Sequence, residues 1–521
     1  MDAGTSSGAR TLTHRETMVV VLGVLLPVFM GSLDNTILAS ALPTIGRELG
    51  DVHNLPWLIT AYLIANTAIT ALYGKISDIH GRRTTLLIAL SLYMAGSFVC
   101  ALAPNIYVLI AGRVLHGLGG GGLTSTGMVI LGDIAAPRDR GKYYGYFSAT
   151  YTTAGACGPA LGGFIAEYLH WSFIFWMNLP MGLLAVFLTL TLLKKLPRHE
   201  RPHKLDFLGA GLIMTASVAF MLALSMGGVR YPWTSPAILA LFAIAVVVGT
   251  GFVARLLTAS EPLIPLAILS NKEARLTIIA NTFGWGPIVG LHIMLPMYLQ
   301  NITGLAPAVA GLSVLLLAVM LNISAGVTGT ILPRRVRYKR IPMIGLCVAI
   351  AAVLTMAWRA SSLSLWEFEI LIFLIGCGFG AMPPLASTAL QNSVSIHTFG
   401  SAVATMQFSR NLYATMIVAV FGVLVLVGAA PGDAGKVTQY SVAGFVWVFY
   451  AVAASFAVSL LLTSMGAQLL QTAILWQVYE ITGSALLLGL TGLARALPHI
   501  VFSLAGGVIA WRDAGAELVR D

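Results

Sequence analysis

The strongest constraint on this chain is the recurrence of apolar runs long enough to cross a lipid bilayer. Met18 to Leu33, Ala237 to Val253 and Val442 to Leu462 each approach or exceed the ~20 residues that a spanning helix needs. Only 10% of the 521 residues are charged and 57% are hydrophobic, whereas a soluble domain carries roughly 25% charged residues. Lipid satisfies no exposed backbone group, so such a chain must form closed helices or a closed barrel. The ten-residue alternation of a barrel strand is absent. The remaining solution is an all-α membrane protein.

Arg10 and Arg15 precede an apolar stretch that reaches Ala39-Ser40-Ala41. It is too long for the ~7–15 residue core of a signal peptide and turns polar at Asp34-Asn35, which predicts a retained first span. Helices are predicted near residues 17–42, 55–74, 84–103, 105–133, 142–168, 174–194, 205–226, 235–257, 275–300, 308–332, 341–359, 367–391, 400–428 and 440–464, fourteen in all. Basic residues then fall on one face: Arg10 and Arg15, Lys75 with Arg82 and Arg83, Arg138 to Lys142, Lys194 to Lys204, Arg255 to Arg275, and Arg334 to Arg340. The other face carries only Arg47, Arg230, Arg359 and Lys436. By the positive-inside rule this predicts a cytoplasmic amino terminus in an inner membrane. It also accounts for the net charge of +10 without nucleic acid. Cys100, Cys157, Cys347 and Cys377 lie in apolar runs without metal-ligand spacing.

Polar connections divide the chain into a cytoplasmic segment (1–16), a six-helix bundle (17–194), a linker with two spans (195–274), a second six-helix bundle (275–465) and a hydrophobic extension (466–521). Repeated halves are common in transporters. A faint internal echo links the Gly74–Arg83 turn to Gly329–Arg337, with Pro333 and Val336 where the first copy has Asp78 and Gly81.

Within the spans, polar residues stand out. Asp34 is late in the first span, where a central carboxylate costs about 2.5–3.5 kcal/mol. Buried, it would offer a site for which a proton or a cation competes; at the outer mouth it would simply be solvated beside Asn35 and Thr36. Arg410 is deep in an apolar span, where charge marks a pathway or a partner. It would either pair with a first-half carboxylate such as Asp34 or hold an anionic substrate. Trp57, Tyr62, His292, Tyr298, Gln300 and Gln407 are candidates to line a central cavity, although tryptophan and tyrosine also populate interfacial belts. No phosphate loop is present, and the glycine cluster at 117–122 lies inside a span, so it serves helix packing rather than nucleotide binding.

Several segments together resemble the major facilitator superfamily. Gly74-Lys-Ile-Ser-Asp78-Ile-His-Gly81-Arg82-Arg83 is similar to its gating signature. Arg113-Val-Leu-His116-Gly117 resembles its R-x-x-Q-G motif, with His116 where glutamine is usual. Gly155-Ala-Cys-Gly158-Pro159-Ala-Leu-Gly162-Gly163 resembles its antiporter motif. Leu33-Asp34 through Pro43, Trp171 to Gly182, Tyr298-Leu299-Gln300 and Arg410 are similar to the fourteen-helix drug:proton antiporters of the EmrB/QacA type. The resemblance implies two six-helix bundles plus two linker helices, and no enzymatic activity. It implies proton-coupled export of amphiphilic or cationic small molecules by alternating access, driven by a proton gradient without a cofactor. Asp34, Arg113 and Arg410 would carry proton coupling, His116 would join the cavity, and lipid and a periplasmic adaptor would be the other partners. Export of a lipid or metabolite on the same fold, and a non-transporting sensor or scaffold, are the alternatives. In the extension, Leu469 to Gly483 and the run ending Gly506-Gly507-Val-Ile-Ala-Trp511 resemble part of a different branch of the superfamily, which predicts an interfacial helix and one more span.

Overall fold

The computed structural model describes residues 14–49, 54–134, 140–192, 205–228, 230–305, 307–331, 340–395, 398–425, 427, 430–431, 437–439 and 441–482. The first half comprises α1 (His14–Leu49), α2 (Pro56–His80), α3 (Arg82–Ala101), α4 (Ile106–Ile134), α5 (Arg140–Tyr168), α6 (Phe173–Trp176) and α7 (Asn178–Leu192). Then come α8 (Phe207–Met226), α9 (Pro236–Thr258) and the short α10 (Leu266–Ser270). The second half comprises α11 (Lys272–Asn301), α12 (Pro307–Ile331), α13 (Arg340–Arg359), α14 (Leu365–Gly380), α15 (Met382–Ser393), α16 (Phe399–Leu424) and α17 (Val442–Thr482). Between α16 and α17 an antiparallel pair, β1 (Ala430–Pro431) and β2 (Val437–Gln439), adds a small strand element to the predicted all-α chain.

Among the described residues twelve helical spans are long and apolar enough to cross a membrane, which makes the chain a multi-pass membrane protein. The two predicted spans outside that dozen are α5 and α16. With 29 and 26 residues they have the length. Tyrosine, threonine and glycine dilute the apolar content of α5, and Gln407, Arg410 and Asn411 do the same in α16. Two predicted single helices are broken. Pro180 has no N–H to continue the hydrogen-bond ladder of α6, and Pro383 and Pro384 restart the chain as α15 after Ala381. Side-chain caps mark three starts in this stretch: Ser235 for α9, Asn271 for α11, and Ser364 with Glu367 in a reciprocal capping box for α14.

Apolar packing explains how the helices are grouped. One core, between Leu33 and Phe175, belongs wholly to the first half. Another, between Ala280 and Phe456, belongs wholly to the second half. A third joins the two, running from Val20, Tyr73 and Leu131 to Leu390, Phe399 and Met406. The linker is attached differently. Ala210 and Ile213 of α8 pack with Ala71 of α2 and Phe408 of α16, whereas only 6% of the apolar window of α9 is buried within the protein. Asp206 caps α8 by accepting from the Gly209 amide and also accepts from Arg255 Nε at 3.1 Å, tying α8 to α9.

The chain separates into two compact units, Met1–Thr463 and Ser464–Asp521. In the second, α17 is described to Thr482. The rest of the extension, where one more span is predicted, lies outside the described residues, as do residues 332–339 with most of the internal echo.

Candidate functional site

The first charged centre is built on close helix approach. Glycines 117, 119, 120, 121 and 122 in α4 stand where an added methyl group would collide with Tyr62, Asn66, Tyr73, Ala89 or Tyr93. Their absence of side chains lets α2 and α3 press against α4 and seals Arg113 inside. Gly96 of α3 does the same opposite His116.

Arg113 and Asp34 are both almost fully buried, at 1% and 2% exposure. Arg113 Nη1 donates to Asp34 Oδ1 at 2.9 Å and to Oδ2 at 2.7 Å, and its Nε donates to the Leu58 carbonyl at 2.9 Å. The guanidinium carbon sits 4.3 Å from the centre of the Tyr62 ring. Nη1 also lies 3.0 Å from His116 Nδ1. A guanidinium only donates, so His116 accepts through Nδ1 and carries its hydrogen on Nε2. That Nε2 is buried without a hydrogen-bond partner. Asp34 is therefore a buried, paired carboxylate rather than a solvated one at the outer mouth.

The second centre is Arg410, 8% exposed, on α16. The predicted alternative of a pair with Asp34 is not made, because both Asp34 oxygens are engaged by Arg113. Arg410 Nη1 donates to Gln407 Oε1 at 2.7 Å, and its guanidinium stacks 3.8 Å from the centre of the Trp285 ring. Its Nε is buried without a partner. Among the described residues no carboxylate lies within ion-pair distance of it.

The Gly74–Arg83 segment forms a seam between the halves. Gly81, at φ +83°, occupies the left-handed region that glycine tolerates and makes the one-residue turn between α2 and α3. Asp78 accepts from the Gly400 amide at 3.2 Å, the Ser401 amide at 2.8 Å and the Ser401 hydroxyl at 2.7 Å. These are the exposed amides of the first turn of α16, where a carboxylate is favoured. Arg82 bridges the other side: Nη1 donates to Asp78 at 2.8 Å and Nε donates to Asp133 at 2.7 Å. Arg83 reaches the Leu190 carbonyl at 3.3 Å. Gly74 lies where an added methyl would strike Ala404 and the Gly400 carbonyl, so it sets the contact between α2 and α16. Gln391 Nε2 donates to the Gly132 carbonyl at 2.6 Å, stitching α15 to α4.

The remaining predicted residues do not converge on one place. Gly158 packs against Thr36 of α1, two residues beyond Asp34, and the Thr36 hydroxyl donates to the Ala154 carbonyl at 3.3 Å. Gly155 faces open space, Gly162 is buried, and α5 continues as helix through Pro159 and Gly163. Tyr62 is the floor under Arg113 and Gln407 the partner of Arg410. Tyr298 is locked in the second-half core, its hydroxyl donating to the Ala360 carbonyl at 2.7 Å and its ring stacked on Phe368. Gln300 is exposed near the end of α11, and half-buried His292 pairs through Nδ1 with the Ile288 carbonyl of its own helix at 2.7 Å. Trp57 is half-buried in the first turn of α2. Residues not singled out from sequence also matter: Ser401 and Gly400 at the start of α16, Asp133 at the end of α4, and Trp285. A glycine–serine pair opening an apolar helix was a signal for the first two; Trp285 had none beyond its aromatic character.

Residues 24–418 match the family model described as Major Facilitator Superfamily. Multidrug transporter protein MdtP of Bacillus subtilis (strain 168) is 29% identical over 442 residues, 85% of this chain and 80% of that protein. Multidrug resistance protein 3 of the same organism is 30% identical over 414 residues, 79% of this chain and 80% of that protein. Among solved structures, that of the human organic anion transporter MFSD10 (TETRAN) superposes with a TM-score of 0.63 at 16% identity, covering 86% of this chain and 99% of that one. The family match spans most of the membrane helices and both halves of the sealed seam: this chain belongs to the Major Facilitator Superfamily and is a multi-pass membrane transporter.

Proposed function

We propose that this transporter is a proton-coupled antiporter that exports amphiphilic small molecules across the inner membrane, as its multidrug-named relatives suggest. The observation that carries the proposal is the buried Asp34–Arg113 pair. Truncating one partner of a buried ion pair typically costs about 3–5 kcal/mol, because the other charge is left alone. A proton on Asp34 has a related effect without any mutation. It cancels the carboxylate charge, weakens the hold on Arg113 and frees α1 to shift against α2 and α4. The Thr36–Ala154 and Gly158 contacts join the same stretch of α1 to α5, which also packs on α12 of the other half. A change of charge at Asp34 is thereby positioned to bias how the halves meet.

The Asp78 seam is the counterpart to that switch. In the conformation described, one end is held shut by the carboxylate of α2 on the first turn of α16. Opening must break those bonds, so the molecule has two discrete arrangements for a proton to choose between. The charge pattern supports a cytoplasmic location for this end, and α5 and α16 would bring the count to fourteen spans. Each proton moving inward through 100 mV supplies about 2.3 kcal/mol before any pH difference is added. The proposal is tested by energised uptake of a dye panel into everted vesicles, with and without an uncoupler. Accumulation that collapses with the uncoupler is expected, and uncoupler-insensitive accumulation would contradict the coupling.

A further inference from the structure

We infer that Arg410, with Trp285 and Gln407, forms a subsite for an anionic group, so that the cargo drawn to the second half carries a carboxylate, sulfonate or phosphate. The inference rests on the export proposal and names its substrate class.

Three observations carry it. Arg410 is more than nine-tenths buried inside the membrane-spanning bundle, and among the described residues no carboxylate balances it. An uncompensated buried charge is costly, and charges retained inside spans face a partner or a pathway. Its donors are only partly used: Nη1 bonds to Gln407 and Nε has no partner. A guanidinium presents five donors in a planar fork suited to two oxygens of one anion. Finally, the fork is held from behind. Stacking at 3.8 Å on Trp285 and the 2.7 Å bond to Gln407 fix its plane without neutralising it.

The surroundings set the character of the rest of the cargo. Phe283 and Tyr413 have ring centres 4.7 Å apart, and Trp285 lies 6.2 Å from Phe379. An anion attached to an aromatic or apolar body therefore suits this place better than a small inorganic ion. Asp34 lies on α1 and Arg410 on α16. The cargo charge and the coupling charge are thus on different halves, which lets both be occupied in one cycle.

The test uses the full-length protein in zwitterionic-lipid vesicles with an imposed pH gradient, and two aromatic probes of opposite charge, anilinonaphthalene sulfonate and ethidium. The expected result is concentrative transport of the sulfonate by the wild type. Arg410→Gln should weaken its apparent affinity roughly ten- to hundredfold, the value of a charge-assisted contact, while ethidium transport changes far less. Arg410→Lys should recover part of the loss. Thermal stabilisation of the wild type by the sulfonate but not by ethidium would support the subsite even if Arg410→Gln does not fold. Competition by phosphatidylglycerol added to the vesicles would place a lipid headgroup in the same subsite. Equal loss of both probes in Arg410→Gln, or a wild type that is stabilised by and carries only ethidium, would overturn the inference. Loss of the gradient dependence with the sulfonate preference intact would instead remove the coupling proposal and leave the subsite standing.

Discussion

Among the described residues, the two halves of this transporter each bury one arginine, and the two are treated in opposite ways. Arg113 is compensated: a carboxylate, a backbone carbonyl, an imidazole nitrogen and an aromatic face surround it. Arg410 has an amide, an indole face and an unused donor. A compensated pair is quiet until something alters its charge, which is what a proton does. An uncompensated cation is receptive, and what it receives is a negative group. The difference argues for separated tasks, with coupling in the first half and cargo recognition in the second.

The comparison can be broken most sharply at Asp34. Asp34→Asn removes the negative charge and strands Arg113, so gradient-driven export is expected to fall to the level of empty vesicles. The loss of pairing alone is about 3–5 kcal/mol, so a detergent size-exclusion profile must accompany the transport assay to show that the variant is folded. Retained gradient-driven export would remove the distinction between the halves. Next in size is the seam. Asp78→Ala deletes a carboxylate that accepts from Gly400, Ser401 and Arg82, and Ser401→Ala deletes one bond to it, about 1.5–3 kcal/mol for a charged acceptor. A cysteine at Ser77, which is buried, should label faster with maleimide in both variants, and more so in Asp78→Ala. Unchanged labelling would mean that these contacts do not hold the seam.

A smaller effect separates two glycines of one motif. Gly158→Ala puts a methyl group into Thr36, an overpacking worth about 1–3 kcal/mol. Gly155→Ala meets nothing within 4 Å and should be neutral or slightly stabilising in a helix, by about 0.5–1 kcal/mol. Thermal unfolding in detergent measures both; equal effects would mean that the α1–α5 contact is not tight. The smallest change is expected for His116→Gln. It replaces one neutral acceptor for Arg113 by another and should shift stability by less than about 1 kcal/mol, with coupling retained. If coupling is lost, His116 itself moves the proton and the first centre is more than a pair.

How legible all this was in the sequence depends on what each residue contacts. The apolar runs and the basic turns were visible because bilayer thickness and charge placement act locally. Asp34 is visible because a charge within an apolar run is conspicuous, and Arg113 because of the R-x-x-Q-G resemblance, yet their pairing is not, since it joins positions 79 apart and requires the glycine-lined approach of α4. Arg410 stands out in the sequence as the partner of a carboxylate or of an anion, and only the packing shows that Asp34 is already taken. Gly400 and Ser401 mark a helix start in the sequence but not a partner, because a small residue there has many uses; the role of Ser401 appears when Asp78 arrives from the other half, 323 positions away. Tyr298 misled for the converse reason, as an aromatic with a hydroxyl suits a cavity and a core equally well until Ala360 claims the hydroxyl. Likewise α16 looks little like a membrane helix because Ser401, Thr405, Gln407 and Arg410 are buried in protein instead of facing lipid.

Proton release from the purified protein on adding a transported probe, followed with a pH indicator in weak buffer, tests the link between carboxylate and cargo most directly. Wild type should release protons when the probe binds, and Asp34→Asn, shown by thermal shift to bind the same probe, should release none. Equal release from both proteins would contradict the assignment of coupling to Asp34.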